Sequence, residues 1–175
     1  KRLRSLTRVG IVDRDDSDNR VSYHLTQRGR ELGEVVEALG TWGIRWIGDL
    51  GDADLDPHLL LWDMRRRLNL SSMPRGRTVL SIEFDDVSAE VSRWWLVADE
   101  DVEICDYDPG FPIAVTLRTS LRTLTSLWRG DEQWDRALRM RAVTVVGPAD
   151  VRRQLPTWLG ASAFAPVPRP VAPRD

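Results

Sequence analysis

The chain has 175 residues, and its 25 Lys and Arg residues against 27 Asp and Glu residues give a formal net charge of -2 at pH 7. A balance so close to neutral excludes a global field that would draw the whole molecule onto nucleic acid, so any such contact needs a local basic patch. A single cysteine, Cys105, excludes an intrachain disulfide, and no apolar run approaches the roughly 20 residues of a membrane span. We therefore expect a cytoplasmic globular protein that does not contact a membrane.

The first 25 residues predict a basic helix followed by a β-hairpin. Leu3 and Leu6 lie at helical spacing, and Gly10 is a natural stop after the last turn. Two strands follow, because apolar residues alternate from 21 to 25 after a polar tip. By spacing alone, this pattern fits a DNA-reading winged helix and an ordinary amphipathic helix with a solvated basic face about equally well.

Two spaced motifs in this part of the chain carry a family resemblance. They are Leu3-Arg4-x-Leu6-x-x-x-Gly10-Ile11-Val12-x-Arg14 and Arg20-Val21-x-Tyr23-x-Leu25-Thr26-x-x-Gly29-x-x-Leu32. The segment resembles the HxlR-type branch of MarR-like winged-helix transcriptional regulators, which implies a recognition helix, a wing and double-stranded DNA as a partner. The DNA-binding residues that the resemblance implies are Lys1, Arg2, Arg4, Arg8, Arg14 and Arg20.

The tip of the hairpin departs from the family pattern. Family members commonly carry prolines just before the wing arginine, whereas this chain has Asp18-Asn19 before Arg20. Four aspartates between residues 13 and 18 would repel a phosphate backbone, which predicts weak wing contacts. We expect the earlier helices of a winged-helix domain to lie upstream of Lys1.

A long helix is predicted to begin at Thr26, a suitable N-cap, and to continue to Trp46. Four glycines interrupt it, each costing about 1 kcal/mol relative to Ala, so it needs close packing. It packs either within its own domain or along a homodimer seam, and the family resemblance favours the dimer, since two-fold symmetry matches a palindromic operator. The predicted interface consists of Leu32, Val35, Val36, Leu39, Trp42 and Trp46.

A short Gly/Asp-rich break from Gly48 to Asp54 predicts a domain boundary. We expect the C-terminal part of a winged-helix domain at residues 1–52, a second domain at 53–163 and a Pro/Arg-rich tail at 164–175. In the second domain Asp56-Pro57 begins a helix that continues to Leu68, with Leu59, Trp62 and the aliphatic parts of Met64 and Leu68 facing a core. Strands are predicted at 78–84, 93–98, 102–107, 113–117 and 142–146. One helix holds Leu121 to Trp128, a second holds Trp134 and Leu138, and a last one follows Gly147-Pro148 and holds Val151 to Leu159. The fold class is α+β, with helices packed on one side of a sheet.

Three stretches of the second domain carry a further resemblance. They are Trp94-Trp95-Leu96-Val97 with Asp108-Pro109-Gly110, Leu121 to Gly130, and Val145-x-Gly147 followed by Leu155-x-x-Trp158-Leu159. They resemble the sterol-carrier-protein type 2 fold, a sheet covered by helices around an apolar tunnel, which implies a hydrophobic or acyl small-molecule ligand. The predicted ligand-binding residues are Trp94, Trp95, Leu124, Trp128, Trp134, Leu138 and Trp158. Tryptophans at such spacing also build ordinary cores, whereas the adjacent Trp94 and Trp95 must point to opposite faces of a strand.

No catalytic constellation is recognisable in the sequence. It contains no Cys-x-x-Cys or His-Glu-x-x-His spacing and no phosphate loop, so we predict no catalytic residue, no metal and no cofactor. Cys105 lies among Glu103, Asp106 and Asp108, which would raise its pKa and weaken it as a nucleophile. The preferred hypothesis is a transcriptional regulator that binds operator DNA as a dimer and responds to a hydrophobic ligand. The alternatives are a lipid or acyl carrier whose winged-helix part serves dimerisation, and a domain that assists an enzyme.

Overall fold

The structure is a computed structural model that describes residues 2–17, 21–48 and 50–170. It divides into two compact units. The first unit comprises Lys1–Gly48 together with Val167–Asp175, and the second comprises Asp49–Pro166. None of the helices in the described ranges is long and apolar enough to cross a membrane.

Within its described residues, the first unit contains two helices and an antiparallel hairpin. They are helix α1 (Arg2–Arg8), strands β1 (Val12–Asp15) and β2 (Ser22–Leu25), and helix α2 (Gln27–Trp46). The register pairs Val12 with Leu25 and Asp15 with Ser22. The predicted basic helix, hairpin and long helix are therefore confirmed.

Helix α2 begins where the sequence predicts it to begin. The hydroxyl of Thr26 accepts a hydrogen bond of 3.1 Å from the backbone N–H of Gly29, so Thr26 is the N-cap. Gly29 lies against the exit of α1, where a Cβ atom would come within 2.2 Å of the carbonyl oxygen of Ile11. Only glycine allows the helix to pass so close to that backbone.

The second unit contains a five-stranded sheet and four helices. The strands are β3 (Thr78–Phe84), β4 (Arg93–Ala98), β5 (Val102–Cys105), β6 (Val115–Thr119) and β7 (Val143–Val146). The helices are α3 (Pro57–Arg65), α4 (Leu121–Arg129), α5 (Trp134–Arg139) and α6 (Ala149–Leu159), with short 3-10 turns at Asp52–Asp54, Leu70–Ser72 and Ala89–Val91. The strand order is β5-β4-β3-β6-β7, with β3 and β6 parallel and the other pairs antiparallel.

The core of the second unit lies between one face of the sheet and the helices. Leu80, Ile82 and Leu96 of the sheet are fully buried in the same cluster as Leu61 of α3 and Leu155 of α6. This arrangement confirms the predicted α+β fold with a sheet covered by helices. On the opposite face, Val79, Val97 and Cys105 form a smaller buried cluster.

The structure corrects the predicted orientation of α3. Leu59 and Trp62 are exposed and Leu60 and Leu61 are buried instead. The predictions that Met64 and Leu68 face the core are confirmed. The run Leu59-Leu60-Leu61-Trp62 offers two overlapping apolar stripes, and the sheet takes the one that begins at the N-terminal Pro57 and includes positions three, four and seven residues later. Periodicity alone cannot distinguish them.

Several element boundaries also differ from the predictions. Helix α3 ends at Arg65 rather than at Leu68, and β5 ends at Cys105 rather than at Tyr107. Strand β6 begins two residues later than predicted, at Val115. Residues 106–114 instead form the connection by which the chain passes from β5 across β4 and β3 to reach β6. A parallel pair requires such a crossover, which consumes residues that otherwise look extended.

Candidate nucleic-acid and ligand surfaces

Helix α1 presents an exposed basic surface in the first unit. Arg2, Arg4 and Arg8 are all exposed, and α1 has no buried residue and no acidic residue in its first turn. Arg14 on β1 is half-exposed and forms an ion pair of 3.0 Å with Asp16, which offsets its charge. The predicted DNA-binding residues Lys1 and Arg20 lie outside the described residues.

Hydrogen bonds join the end of α1 to the start of α2. A guanidinium nitrogen of Arg28 donates to the carbonyl oxygen of Val9 at 3.0 Å, and the hydroxyl of Thr26 donates to that of Gly10 at 2.7 Å. The backbone N–H of Thr26 donates to the carbonyl oxygen of Ile11 at 3.1 Å. The orientation of the arginines of α1 is therefore coupled to the direction of α2.

Helix α2 carries an apolar stripe that is open to solvent in the single chain. Its six predicted interface residues are between 40% and 63% exposed. These are Leu32, Val35, Val36, Leu39, Trp42 and Trp46. Gly29 is the buried residue of this 20-residue helix. Exposed apolar stripes of this kind are typical of protein interfaces.

Most of the predicted ligand-binding residues are core residues. Trp94, Leu124, Trp128 and Trp158 are each at most 6% exposed. The indole N–H of Trp128 donates to a carboxylate oxygen of Asp63 at 2.9 Å. Those of Trp94 and Trp158 donate to the backbone carbonyls of Val91 and Ser72. The indole N–H groups of these three tryptophans are therefore already hydrogen-bonded within the chain.

The remaining predicted ligand residues lie in three different places. Trp134 packs against the edge of the main core, and Trp95 packs on the opposite face of the sheet from Trp94. Within the described ranges, the buried indole N–H of Trp95 has no hydrogen-bond partner. Leu138 lines an open groove. The structure therefore does not bring the seven predicted residues together around one cavity.

The groove that Leu138 lines has a volume of about 770 Å³ and lies between α5, β7 and α6. Its apolar side chains are Leu138, Val143, Val145 and Pro156. Three arginines, Arg141, Arg152 and Arg153, and one acidic residue, Asp135, also line it. The sequence prediction missed these arginines, and the adjacent pair Arg152-Arg153 in an amphipathic helix was the available signal.

Arg141 has an unusual backbone conformation. Its φ of 57° is in the left-handed region, which costs a residue with a side chain about 1–2 kcal/mol. It directly follows the C-cap of α5, and its backbone N–H donates to the carbonyl oxygen of Leu138 at 3.2 Å. The C-cap of helix α4, Gly130, has the same left-handed backbone conformation, with a φ of 79°. An arginine therefore occupies a position that ordinarily favours glycine.

Two smaller cavities have different chemistry. One, of about 350 Å³, is lined by Arg77, Phe111 and the acidic residues that surround the turn between β4 and β5. Another, of about 170 Å³, contains His58, whose ring lies 5.9 Å from that of Trp62 and 6.0 Å from that of Trp94. Among the residues that the structure describes, no group of three or more His, Cys, Asp or Glu side chains could hold a metal ion.

Burial raises the pKa of the Cys105 thiol, and the nearby carboxylates of Glu103 and Asp106 raise it further. The thiol therefore stays protonated at neutral pH. A protonated thiol is a poor nucleophile.

The first 50 residues match the model of the HxlR-like helix-turn-helix family. This match covers 50 of the 175 residues and includes the exposed arginines of α1 and the whole of α2. It confirms the HxlR-type resemblance of the predicted motifs. No curated protein sequence matches the chain.

The fold is similar to parts of solved structures. A double mutant of the sec-alkylsulfatase PisA1 matches with a TM-score of 0.51 and 14% identity over 64% of this chain, and this chain spans 17% of that protein. Sterol Carrier Protein 2 Like 2 from Aedes aegypti matches with a TM-score of 0.40 and 14% identity over 56% of this chain and 91% of that chain. Sterol Carrier Protein 2 from Yarrowia lipolytica matches with a TM-score of 0.42 and 14% identity over 57% of this chain and 84% of that chain. At these identities the likeness concerns the fold alone.

Proposed function

We propose that this chain belongs to a transcriptional regulator that binds double-stranded operator DNA as a homodimer. The observation that carries the proposal is the exposed set Arg2, Arg4 and Arg8 on α1, within the segment that matches the HxlR-like helix-turn-helix family. A guanidinium group can pair bidentately with guanine edges or phosphate oxygens, and α1 has no acidic side chain in its first turn to oppose this.

The apolar stripe of α2 supports the dimer. A 20-residue helix whose one buried residue is a glycine gains little stability from its own chain, since helices in proteins depend on the burial of an apolar face. A second copy that supplies the same stripe would bury both, as in an isologous two-fold interface. Two copies of α1 would then meet two half-sites of a palindrome.

The second unit supplies the proposed effector site. Its open groove has the volume of a small-molecule site and is partly apolar, which suits a hydrophobic ligand. Such a ligand regulates DNA binding only if it binds the DNA-competent and incompetent states with different affinities. The coupling is reciprocal, so operator DNA must change the affinity for the ligand by the same factor.

The decisive experiment is a selection of DNA fragments by the full-length protein, followed by anisotropy titrations of the selected duplex. We expect sequence-specific binding at moderate salt that weakens in Arg4→Ala and Arg8→Ala. Arg75→Ala is a matched control, because Arg75 is also an exposed arginine and lies on a bend of the second unit. Failure to enrich any sequence, with the protein folded and dimeric, would overturn the regulator proposal.

One observation favours a second candidate, a hydrophobic-ligand carrier whose first unit serves only dimerisation. Asp13, Asp15 and Asp16 surround Arg14, and Asp16 is its ion-pair partner. A wing of this charge would contribute little attraction to a phosphate backbone. Ligand binding by a dimer that enriches no DNA sequence would establish this candidate.

A further inference from the structure

We propose that the groove between α5, β7 and α6 binds an anionic amphiphile, with its apolar chain on the floor and its carboxylate or phosphate head on the arginines. This ligand class deepens the proposed function and rests on it, because it specifies what the effector site of the second unit recognises. The site is a surface groove beside the outer strand β7, and its Val143 and Val145 side chains also belong to the main core between sheet and helices.

The charges of the groove favour an anion. Three arginines line it against the single carboxylate of Asp135. None of the ion pairs among the described residues involves Arg141, Arg152 or Arg153, whereas some arginines elsewhere in the unit, such as Arg118, are paired. Guanidinium groups without a carboxylate partner can form charge-assisted hydrogen bonds to a bound carboxylate or phosphate.

The backbone of Arg141 gives independent support. The residue keeps a left-handed conformation at the end of α5, where glycine would be free of strain. Strained backbone conformations cluster at binding sites, because the structure around them holds a side chain where it is used. Here the strained residue contributes one of the three charges of the groove.

The floor of the groove requires an apolar portion in the ligand. Leu138, Val143, Val145 and Pro156 line it, and the volume of about 770 Å³ is within the range of roughly 300–1,000 Å³ that is typical of small-molecule sites. A small inorganic anion would leave this floor uncovered, and a neutral lipid would leave the arginines without a partner. An amphiphile with a negative head satisfies both parts.

The test uses four ligands with the same chain and different heads, each titrated calorimetrically into the full-length protein below its micelle concentration. The ligands are dodecanoate, dodecyl phosphate, dodecanol and dodecyltrimethylammonium. We expect at least one of the two anions to bind at least tenfold more tightly than dodecanol, and the cation to bind more weakly still. The preference between the two anions identifies the head group.

Three variants locate the site. Arg152→Gln should weaken anion binding about tenfold, whereas Arg75→Gln, which removes an exposed arginine outside the groove, should leave it unchanged. Arg141→Gly removes the charge and also the backbone strain, so we expect weaker anion binding together with an equal or higher melting temperature. A loss of affinity that merely reflected unfolding would not show that combination.

Several results would overturn the groove assignment. Equal affinity for dodecanol and dodecanoate would do so, as would full affinity of the Arg152→Gln and Arg141→Gly variants. Binding of an acidic peptide strand along β7 without binding of either alkyl anion would assign the groove to a protein partner. DNA titrations on the same samples separate the two proposals, since sequence-specific DNA binding without amphiphile binding contradicts only the ligand class.

Discussion

The hydroxyl of Thr26 donates a hydrogen bond of 2.7 Å to the carbonyl oxygen of Gly10. The hydroxyl oxygen of Thr26 also accepts a hydrogen bond from the backbone N–H of Gly29, so one side chain caps α2 and joins it to the end of α1. We predict that Thr26→Val lowers the free energy of unfolding by about 1–2 kcal/mol, as for other lost N-caps. Urea denaturation measures this change, and Thr26→Ser, which keeps the hydroxyl, should lose much less.

Two glycines of α2 should respond to alanine in opposite directions. Gly29→Ala places a Cβ atom 2.2 Å from the carbonyl oxygen of Ile11, so α2 must move away from α1, with a large loss of stability. Gly33→Ala meets no atom within 4 Å and should stabilise the helix by up to about 1 kcal/mol. Thermal unfolding of both variants tests this pair, and equal effects would contradict the close approach at Gly29.

The proposed dimer predicts a change of mass in solution. Trp42→Glu places a charge in the centre of the apolar stripe of α2, and since Trp42 is exposed in the single chain, the fold itself should survive. We expect sedimentation to report a shift from dimer to monomer, with unchanged circular dichroism. Glu37→Gln, at an exposed polar position on the same helix, should leave the dimer intact.

Two tryptophans distinguish a core role from a ligand role. Trp158 is 1% exposed and donates to the carbonyl oxygen of Ser72 at 3.0 Å, so Trp158→Phe should cost about 1–3 kcal/mol of stability. Trp62 is 47% exposed, and Trp62→Phe should cost less than about 0.5 kcal/mol. Amphiphile affinity, measured well below the unfolding transition, should be the same in both variants. A loss of amphiphile affinity in Trp158→Phe but not in Trp62→Phe would show that Trp158 takes part in ligand binding.

The raised pKa of Cys105 predicts a pH dependence of stability. Its folded-state pKa exceeds that of the unfolded chain, so the stabilisation is fully present below the unfolded pKa of about 8.5 and is lost as the pH rises above it. Chemical denaturation between about pH 7 and 10 should therefore show a steeper loss of stability for the native chain than for Cys105→Ala. Parallel curves would show that the thiol ionises equally in both states.

The elements near Thr26 and in the sheet were predictable from sequence because their signals are local. A hydroxyl before an apolar helical pattern determines an N-cap, and the alternation in Thr78–Phe84 determines a strand. The inward face of α3 was not predictable, because Leu59 and Leu60 are both apolar and only the position of the sheet decides between them.

The groove was not predictable for a related reason. Its arginines come from the end of α5 and from the second turn of α6, and β7 brings Val143 and Val145 between them. A glycine at the end of a helix, such as Gly130, indicates a left-handed conformation in the sequence. An arginine gives no such indication, so the left-handed conformation of Arg141 was not predictable. The number of tryptophans indicated an aromatic ligand site, whereas tertiary packing places Trp128 and Trp158 in the core.

The parallel pairing of β3 with β6 has a consequence for synthesis of the chain. Strand β3 is buried almost along its whole length, yet the strand that covers one of its edges begins only at Val115, about thirty residues after Phe84. At ribosomal rates of about 5–20 residues per second, roughly two to six seconds pass between synthesis of β3 and synthesis of β6. During this time the backbone groups on that edge of β3 have no partner strand. Unpaired edges recruit other strands, so a nascent chain paused within the crossover is exposed to aggregation through β3.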